Sequence, residues 1–314
     1  MSYFSILLPA CNMAGKMDSC INSLKNQTFK DFEMIFVDDG STDSTYEELL
    51  EFAKEDDRVS VYQHEKNSSL LAARFTAMKH AKGKYILFLD TDDAITQDAC
   101  EKMHDSLEKN PVDILRFGFS IEPKGKVVMP EPSEDPLRLI YGYKVFPAIW
   151  KNCYSKSVIE ATVETGESFY CNMGEDTYLS TVLFTNAHSF DVLNERLLLY
   201  DAGTGMSNSN ELKPEKIQKA IDSIASSANH IASYIEKYAK EYEEDSKFAI
   251  RVMFRFLIRQ HVYLAASDEN AERALELFNT PELAEYYNYG KDVVLPTRLK
   301  EKQEGTTMTL DFRK

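Results

Sequence analysis

Over its first 117 residues the chain alternates between two hydrophobic periods, a rhythm that few folds accept. Apolar runs suited to strands occupy 4–9, 32–37, 59–63, 84–89 and 112–117. Between them, apolar residues recur at helical spacing over 15–26, from the turn at 38–43 to about 54, over 68–81 and over 97–109. Strands and helices that alternate with short loops predict right-handed crossovers and an α/β fold, a mostly parallel central sheet flanked by helices. In such sheets ligands bind beyond the carboxyl ends of the strands.

The strand at 84–89 runs straight into acid. Residues 85–89 are apolar without a break, the pattern of a strand covered on both faces, and Asp90-Thr91-Asp92-Asp93 follow. Carboxylates gathered at a strand end repel one another unless a cation joins them. Hard oxygen ligands suit Mg²⁺ or Mn²⁺, and magnesium takes one or two protein carboxylates, leaving its other positions to water and phosphate. Asp90 and Asp92 fit that demand; a solvated acidic loop is the plainer alternative. Asp38 and Asp39 close the second strand, so a parallel sheet sets both acidic pairs on one edge. A carboxylate there could accept hydrogen bonds from a ribose hydroxyl or a base N–H, or could cap the helix that starts in Asp39-Gly40-Ser41.

The chain has 314 residues, enough for two domains or for one with an appendage. A formal charge of −15 argues against nucleic acid as a partner. Residues 211–314 hold 16 Lys+Arg against 18 Asp+Glu, which leaves 20 against 33 for residues 1–210. The cysteines are odd in number and form no CxxC pair, as reduced thiols would. With no basic leader and no apolar run near the ~20 residues of a span, a cytoplasmic protein is expected. Any membrane contact would be peripheral, at the inner face.

Beyond 117 the alternation fades. Pro123, Pro130, Pro132 and Pro136 punctuate 118–150, which reads as loops with a hairpin. A helix is expected over 173–186, opened by Gly174-Glu175-Asp176, and two strands at 189–193 and 196–200. Helical patterns dominate from 213 to about 279. The expected division is therefore a domain over 1–210, in halves 1–117 and 118–210, and a helical C-terminal region over 211–314.

Glu175 and Asp176 suit the first turn of a helix, where the macrodipole favours acids by about 0.3–1 kcal/mol. Alternatively, one of them is a general base. Arg74, on the third helix, could contact phosphate or pair with an Asp. Trp150, the single tryptophan, is open to a core or a stacking role. His64 and His188 read as structural. In the tail, Arg251, Arg255 and Arg259 share one face of an apolar stretch. That face is open to three readings: a core edge bonded to acids such as Glu243 and Glu244, a peripheral membrane contact with anionic headgroups, or a homodimer surface through 245–266.

Taken in order, Ile6-Leu7-Leu8-Pro9-Ala10-Cys11-Asn12, Ser23-Leu24-Lys25-Asn26-Gln27-Thr28, Val37-Asp38-Asp39-Gly40-Ser41-Thr42-Asp43, Ala72-Ala73-Arg74, Ala81-Lys82-Gly83-Lys84-Tyr85-Ile86 and Phe88-Leu89-Asp90-Thr91-Asp92-Asp93 resemble the nucleotide-sugar half of family-2 glycosyltransferases. Trp150-Lys151-Asn152-Cys153-Tyr154 and Gly174-Glu175-Asp176 resemble its acceptor half, and Leu199-Tyr200 with Met206-Ser207 its closing segment. The resemblance covers roughly residues 3–210 and implies a GT-A fold, Rossmann-like; residues 211–314 lie outside it and read from their own pattern as a helical appendage. It implies an inverting, non-processive bacterial enzyme with a nucleoside-diphosphate sugar donor, expected to be UDP-linked, and a divalent cation, Mn²⁺ or Mg²⁺. One sugar would pass to a hydroxyl of a glycan, lipid-linked or glycoprotein acceptor in surface polysaccharide synthesis. By position, Pro9, Ala10, Asn12, Asp38, Asp39, Asn67, Arg74, Asp90 and Thr91 would border the nucleotide-sugar. Asp92 with Asp90 would hold the metal, and Asp176 would be the base. Glu175 would help place the acceptor, beside Trp150 and Gly174.

Some positions depart from the family. Asn67-Ser68-Ser69 stands where Asn-Gly-Gly is frequent, Ala77 where Gly is common, and Tyr200-Asp201 in place of Tyr-Arg. The Gln-x-x-Arg-Trp segment of processive synthases does not occur. Two other functions stay open. A haloacid-dehalogenase-type phosphatase also sets Asp-x-Asp after an apolar strand, but normally the first strand, and with Thr or Val where Ala94 stands. A non-catalytic sugar-nucleotide-binding module is the other, against which Gly174-Glu175-Asp176 argues.

Overall fold

The structure, a computed structural model, describes residues 2–142, 147–203 and 213–304. The chain divides into two compact units, Met1–Ile140 with Val145–Asn208, and Tyr141–Lys144 with Ser209–Lys314.

The first unit is built on a mixed sheet. Strands β1 (Phe4–Ala10), β2 (Phe32–Asp38), β3 (Val59–Gln63) and β4 (Tyr85–Phe88) lie in the order β3-β2-β1-β4, all parallel. Helices α1 (Asp18–Lys25), α2 (Thr45–Glu55) and α3 (Leu70–His80) make the crossovers. Every residue of β1 and β4 is buried, so both faces of these strands are covered and apolar runs replace alternation. Each fully buried Leu, Ile or Phe contributes about 1.5–3 kcal/mol, which pins the strand ends. Ala10 pairs with Asp38 and Leu7 with Phe88, so the chain leaves β1, β2 and β4 along one edge.

Past β4 the sheet becomes mixed. β5 (Ala94–Ile95), α4 (Ala99–Lys109), β6 (Ile114–Glu122), β7 (Lys126–Val128), α5 (Pro136–Tyr141), β8 (Asn152–Ser155), α6 (Lys156–Thr165), α7 (Glu175–Thr185) and β9 (Phe190–Asp201) follow. The sheet runs on as β4-β8-β6-β9-β5, with β7 paired to β6. β8 lies antiparallel between β4 and β6, the strand that holds the run expected at 112–117. The hairpin in 118–150 is β6–β7; β5, α5, β8 and α6 are additions. The two strands expected at 189–193 and 196–200 are one, β9, whose register to β6 slips between Phe117↔Leu193 and Gly118↔Arg196. A bulge absorbs the polar Asn194-Glu195 that reads as a break in sequence.

The second unit is helical: α8 (Pro214–Tyr238), α9 (Glu243–Ile258), α10 (Asp268–Glu276), α11 (Ala284–Tyr289) and α12 (Leu295–Glu304). Helices therefore continue well past 279. Ile217, Ile221, Ile224, Ile231 and Ile235 of α8 are buried, as are Val252, Met253 and Leu257 of α9. The arginine stripe finds partners within this unit. Arg251 pairs with Glu285 at 3.0 Å, and Arg255 lies over the Tyr289 ring at 4.6 Å and Arg259 over that of Tyr263 at 6.0 Å. Glu243 and Glu244 bond instead to Lys247, at 2.9 and 2.7 Å. Among the described residues no helix is long and apolar enough to cross a membrane. Met206-Ser207 lies outside the described residues.

Candidate active site

The loops after β1 and β2 are laced together. Asn12, at φ 54°, donates its N–H to Ser41 Oγ at 2.9 Å, and its Oδ1 accepts the Thr42 N–H at 2.9 Å. Asp38 Oδ2 accepts from the Ser41 N–H (3.3 Å) and Gln63 Nε2 (3.1 Å), while its Oδ1 is buried without a partner. Asp39 is buried, and the N–H groups of Ser68 and Ser69 reach its two oxygens at 2.8 and 2.9 Å. His64 Nδ1 lies 2.7 Å from Asp39 Oδ1, and Nε2 lies 2.9 Å from Thr76 Oγ1, so the ring ties Asp39 to α3. Asn67 Nδ2 donates to the Asp39 carbonyl and to Cys11 Sγ, each at 3.3 Å. Burial pushes the Cys11 thiol up.

Ser69 leads into α3 at φ 97° and ψ 157°, a region nearly reserved for glycine. Its hydroxyl accepts the Ala72 N–H at 3.4 Å and donates to the Phe169 carbonyl at 3.3 Å. The next two N–H groups of the helix end on the segment before α7. Leu70 donates to Asn172 Oδ1 at 2.8 Å and Leu71 to the Cys171 carbonyl at 3.2 Å. Tyr170 donates its hydroxyl to Asn67 Oδ1 at 3.3 Å.

One turn along α3, Arg74 is buried among Leu71, Phe75 and Met78 of the same helix. Its Nη1 donates to Asp176 Oδ1 at 2.7 Å and Glu175 Oε1 at 3.4 Å, and its Nη2 to Asp90 Oδ1 at 3.1 Å. Gly174, at φ 89°, turns the chain into α7 and sets Glu175 and Asp176 in its first turn. Burial alone would lower the Arg74 guanidinium, but the charges of Asp176, Asp90 and Glu175 outweigh it and hold it above its ordinary value. Glu175 is pushed up to about 7, by burial first and then by Asp176. Burial also raises Asp176, against the pull of Arg74. The Asp176 side chain keeps 21% of its exposure, so it is open to an incoming molecule. Lys151 is buried nearby and held well below its ordinary value by burial, then by Arg116, with Asp176 pulling the other way.

At the end of β4, Thr91 Oγ1 donates to the Pro9 carbonyl at 3.2 Å, which ties the acidic turn to β1. Ala10 accepts the Asp39 N–H at 2.8 Å. Asp93 Oδ1 accepts the Asp201 N–H at 2.8 Å, while Oδ2 is buried without a partner. Burial, and next the charge of Asp90, push this carboxyl up to about 8. Asp92 is partly exposed. Among the described residues no three His, Cys, Asp or Glu side chains form a ready-made metal cage.

Trp150 is buried. It stacks on Tyr200 at 5.3 Å and 12°, and meets Phe119 edge-on at 5.0 Å. The Tyr200 hydroxyl is raised by burial and then by Asp93, Asp92, Asp90 and Asp176, so it stands in the field of the acidic cluster. Sequence reasoning gave no chemical role to Tyr200, Lys151, Ser69 or Asn172. Tyr200 and Lys151 did fall inside the recognised segments. The positive φ of Ser69 was hinted at by serine standing where glycine is frequent. Nothing local marked Asn172.

Comparison with known proteins agrees with this architecture. Residues 5–153 match the family described as Glycosyl transferase family 2. A protein described as the uncharacterized glycosyltransferase EpsJ of Bacillus subtilis (strain 168) is 28% identical over 243 residues, covering 72% of this chain and 70% of its own. Several further bacterial glycosyltransferases match over less than half of their own length. The chain resembles the solved structure of Staphylococcus aureus TarS 1-349 in complex with UDP-GlcNAc, with a TM-score of 0.57 at 20% identity over 99% of this chain and 94% of that one. It also resembles the mannosyltransferase PcManGT of Pyrobaculum calidifontis in complex with GDP-Man and Mn²⁺, with a TM-score of 0.53 at 13% identity over 97% and 88%. At such identities the likeness is one of fold, and that fold is GT-A. The segment 5–153 thus carries the pattern of glycosyltransferase family 2, and the whole chain is similar to bacterial glycosyltransferases.

Proposed function

We propose that this enzyme transfers one sugar, with inversion, from a nucleoside-diphosphate sugar, UDP-linked, to a hydroxyl acceptor in surface polysaccharide synthesis. The observation that carries the reading is the meeting of Asp90, from the end of β4, with Glu175 and Asp176, from the start of α7, on one buried guanidinium. TarS in complex with UDP-GlcNAc supports the uridine donor by its fold.

Asp176 accepts the proton of the acceptor hydroxyl as that oxygen attacks the anomeric carbon. The bond from that carbon to the diphosphate breaks on the opposite face, and its electron pair leaves with the nucleoside diphosphate. Burial raises the Asp176 carboxylate above its ordinary value, which strengthens it as a base, and such help is worth about 10²–10⁴-fold. Pro9, Ala10, Asn12, Asp38, Asp39 and Asn67 border the nucleoside, and Thr91 holds the acidic turn against β1. Glu175 and Gly174 place the acceptor, with Tyr200 backed by Trp150 as the aromatic surface beside it.

The residues at β4 fit a divalent cation. Their donors are hard oxygens, Asp92 is partly exposed, and Asp90 commits Oδ1 to Arg74 while its other oxygen takes no hydrogen bond among the described residues. One or two carboxylates with phosphate and water suffice for Mg²⁺. When bound there, Mn²⁺ or Mg²⁺ supplies Lewis-acid neutralisation of the charge on the departing diphosphate.

Release of nucleoside diphosphate from a panel of nucleotide sugars tests the reading. Asp176→Asn should abolish turnover and spare binding of UDP with Mn²⁺; near-normal rates would move the base elsewhere. Release of phosphate from monoesters would favour the phosphatase, and binding without turnover the module.

A further inference from the structure

We propose that Arg74 is a positioning residue for the transfer step, fixing the separation of the donor and acceptor sides of the site, and that it does not hold the donor. This rests on Asp176 being the base. A guanidinium that binds phosphate must present N–H groups to the ligand. Arg74 is 1% exposed, and both of its Nη atoms already donate to carboxylates. Those carboxylates belong to opposite halves of the reaction, Asp90 where the donor's diphosphate would lie and Asp176 where the acceptor's proton leaves.

A planar fork spans such a pair with fixed geometry, which the point charge of a lysine cannot do. The helix that carries the fork is itself held to the base. Its first N–H groups end on Cys171 and Asn172, just before α7. α3 is therefore tied to the Asp176 segment twice, by backbone and by guanidinium, and to β4 once. A shift of either end moves the base relative to the anomeric carbon, where an error of about 1 Å can cost about 10²-fold in rate.

The test compares Arg74→Lys, Asn172→Ala and Asp176→Asn in the full chain. Calorimetry of UDP in Mn²⁺ reads donor binding, and nucleoside diphosphate release from the same sugar panel reads rate. Arg74→Lys should lower kcat by about 10²-fold, with the UDP Kd and the donor KM changed by no more than about threefold. Arg74→Lys combined with Asp176→Asn should lose no more than Asp176→Asn alone, because both act on one step. Asn172→Ala, which removes one tie of α3 to the Asp176 segment without touching the buried charges, should lower kcat by a smaller factor at unchanged UDP affinity. This variant also decides the matter should Arg74→Lys fail to fold. UDP affinity weakened tenfold or more at preserved kcat would make Arg74 a donor ligand and overturn the proposal. So would wild-type kcat in either Arg74→Lys or Asn172→Ala. Normal turnover by Asp176→Asn would instead overturn the base assignment, a separate failure.

Discussion

Ser69 occupies backbone space that suits glycine, and the strain is worth about 1–3 kcal/mol. Against it stand a weak cap, of which replacement by glycine loses a few tenths of a kcal/mol, and the extra freedom glycine gives the unfolded chain, about 0.4–1 kcal/mol. Ser69→Gly should therefore raise stability by about 1 kcal/mol in urea unfolding. Ser69→Ala keeps the strain, loses the cap and should lower stability by about 1 kcal/mol; the same sign for both variants would refute the strain. Glu175 makes a second prediction. Its ordinary value is 4.5 and the fold lifts it to about 7, so the folded state binds more protons between those values. Its contribution to stability is present below the unfolded value and is lost as pH rises through about 7. Glu175→Gln should melt above the wild type at pH 8, by a margin that shrinks at pH 5. A margin independent of pH would mean that the carboxyl is not buried as described. Neither residue announced itself fully in the sequence. The partners of Arg74 lie 16, 101 and 102 positions away, so no local spacing could have joined them.

At the scale of elements, β1 to β4 and their crossovers were legible because each signal is local: buried runs for strands, helical spacing between them. The acidic strand ends were legible for the same reason. β8 was not, because four residues antiparallel between β4 and β6 carry no period of their own. The bulge in β9 hid in two polar residues, which only the pairing with β6 explains. The helix expected over 173–186 begins at Glu175, with Gly174 turning the chain into it, and that geometry gives a prediction. Gly174 sits at φ 89°, where a side chain costs about 1–2 kcal/mol. Gly174→Ala should lower stability by about 1 kcal/mol and should lower kcat more than it raises the donor KM, since it displaces the helix start that carries Asp176. Kinetics with an unchanged kcat would show that α7 can begin one residue later without moving Asp176.

For the molecule as a whole, charge decides how the donor arrives. Residues 1–210 hold 20 basic against 33 acidic residues, and a nucleoside diphosphate is itself an anion. Long-range forces therefore oppose the encounter, and Arg74, a fixed cation beside the acidic strand end, is already buried and paired. Salt shortens the reach of that repulsion, from a Debye length of about 30 Å at ~0.01 M to about 8 Å at ~0.15 M. In chelator, UDP should thus bind faster as ionic strength rises across this range, the reverse of an electrostatically steered ligand. Mn²⁺ should remove most of that dependence, because the ion offsets charge on both the diphosphate and Asp92. The same linkage appears in stability. A ligand at about 100 times its Kd adds about 2.7 kcal/mol to the folded state. UDP with Mn²⁺ should therefore raise the melting temperature well above UDP in chelator, and Asp92→Ala should erase the difference. An equal shift by UDP in chelator, with Asp92→Ala unaffected, would leave the acidic strand end without its cation and assign the diphosphate to other contacts.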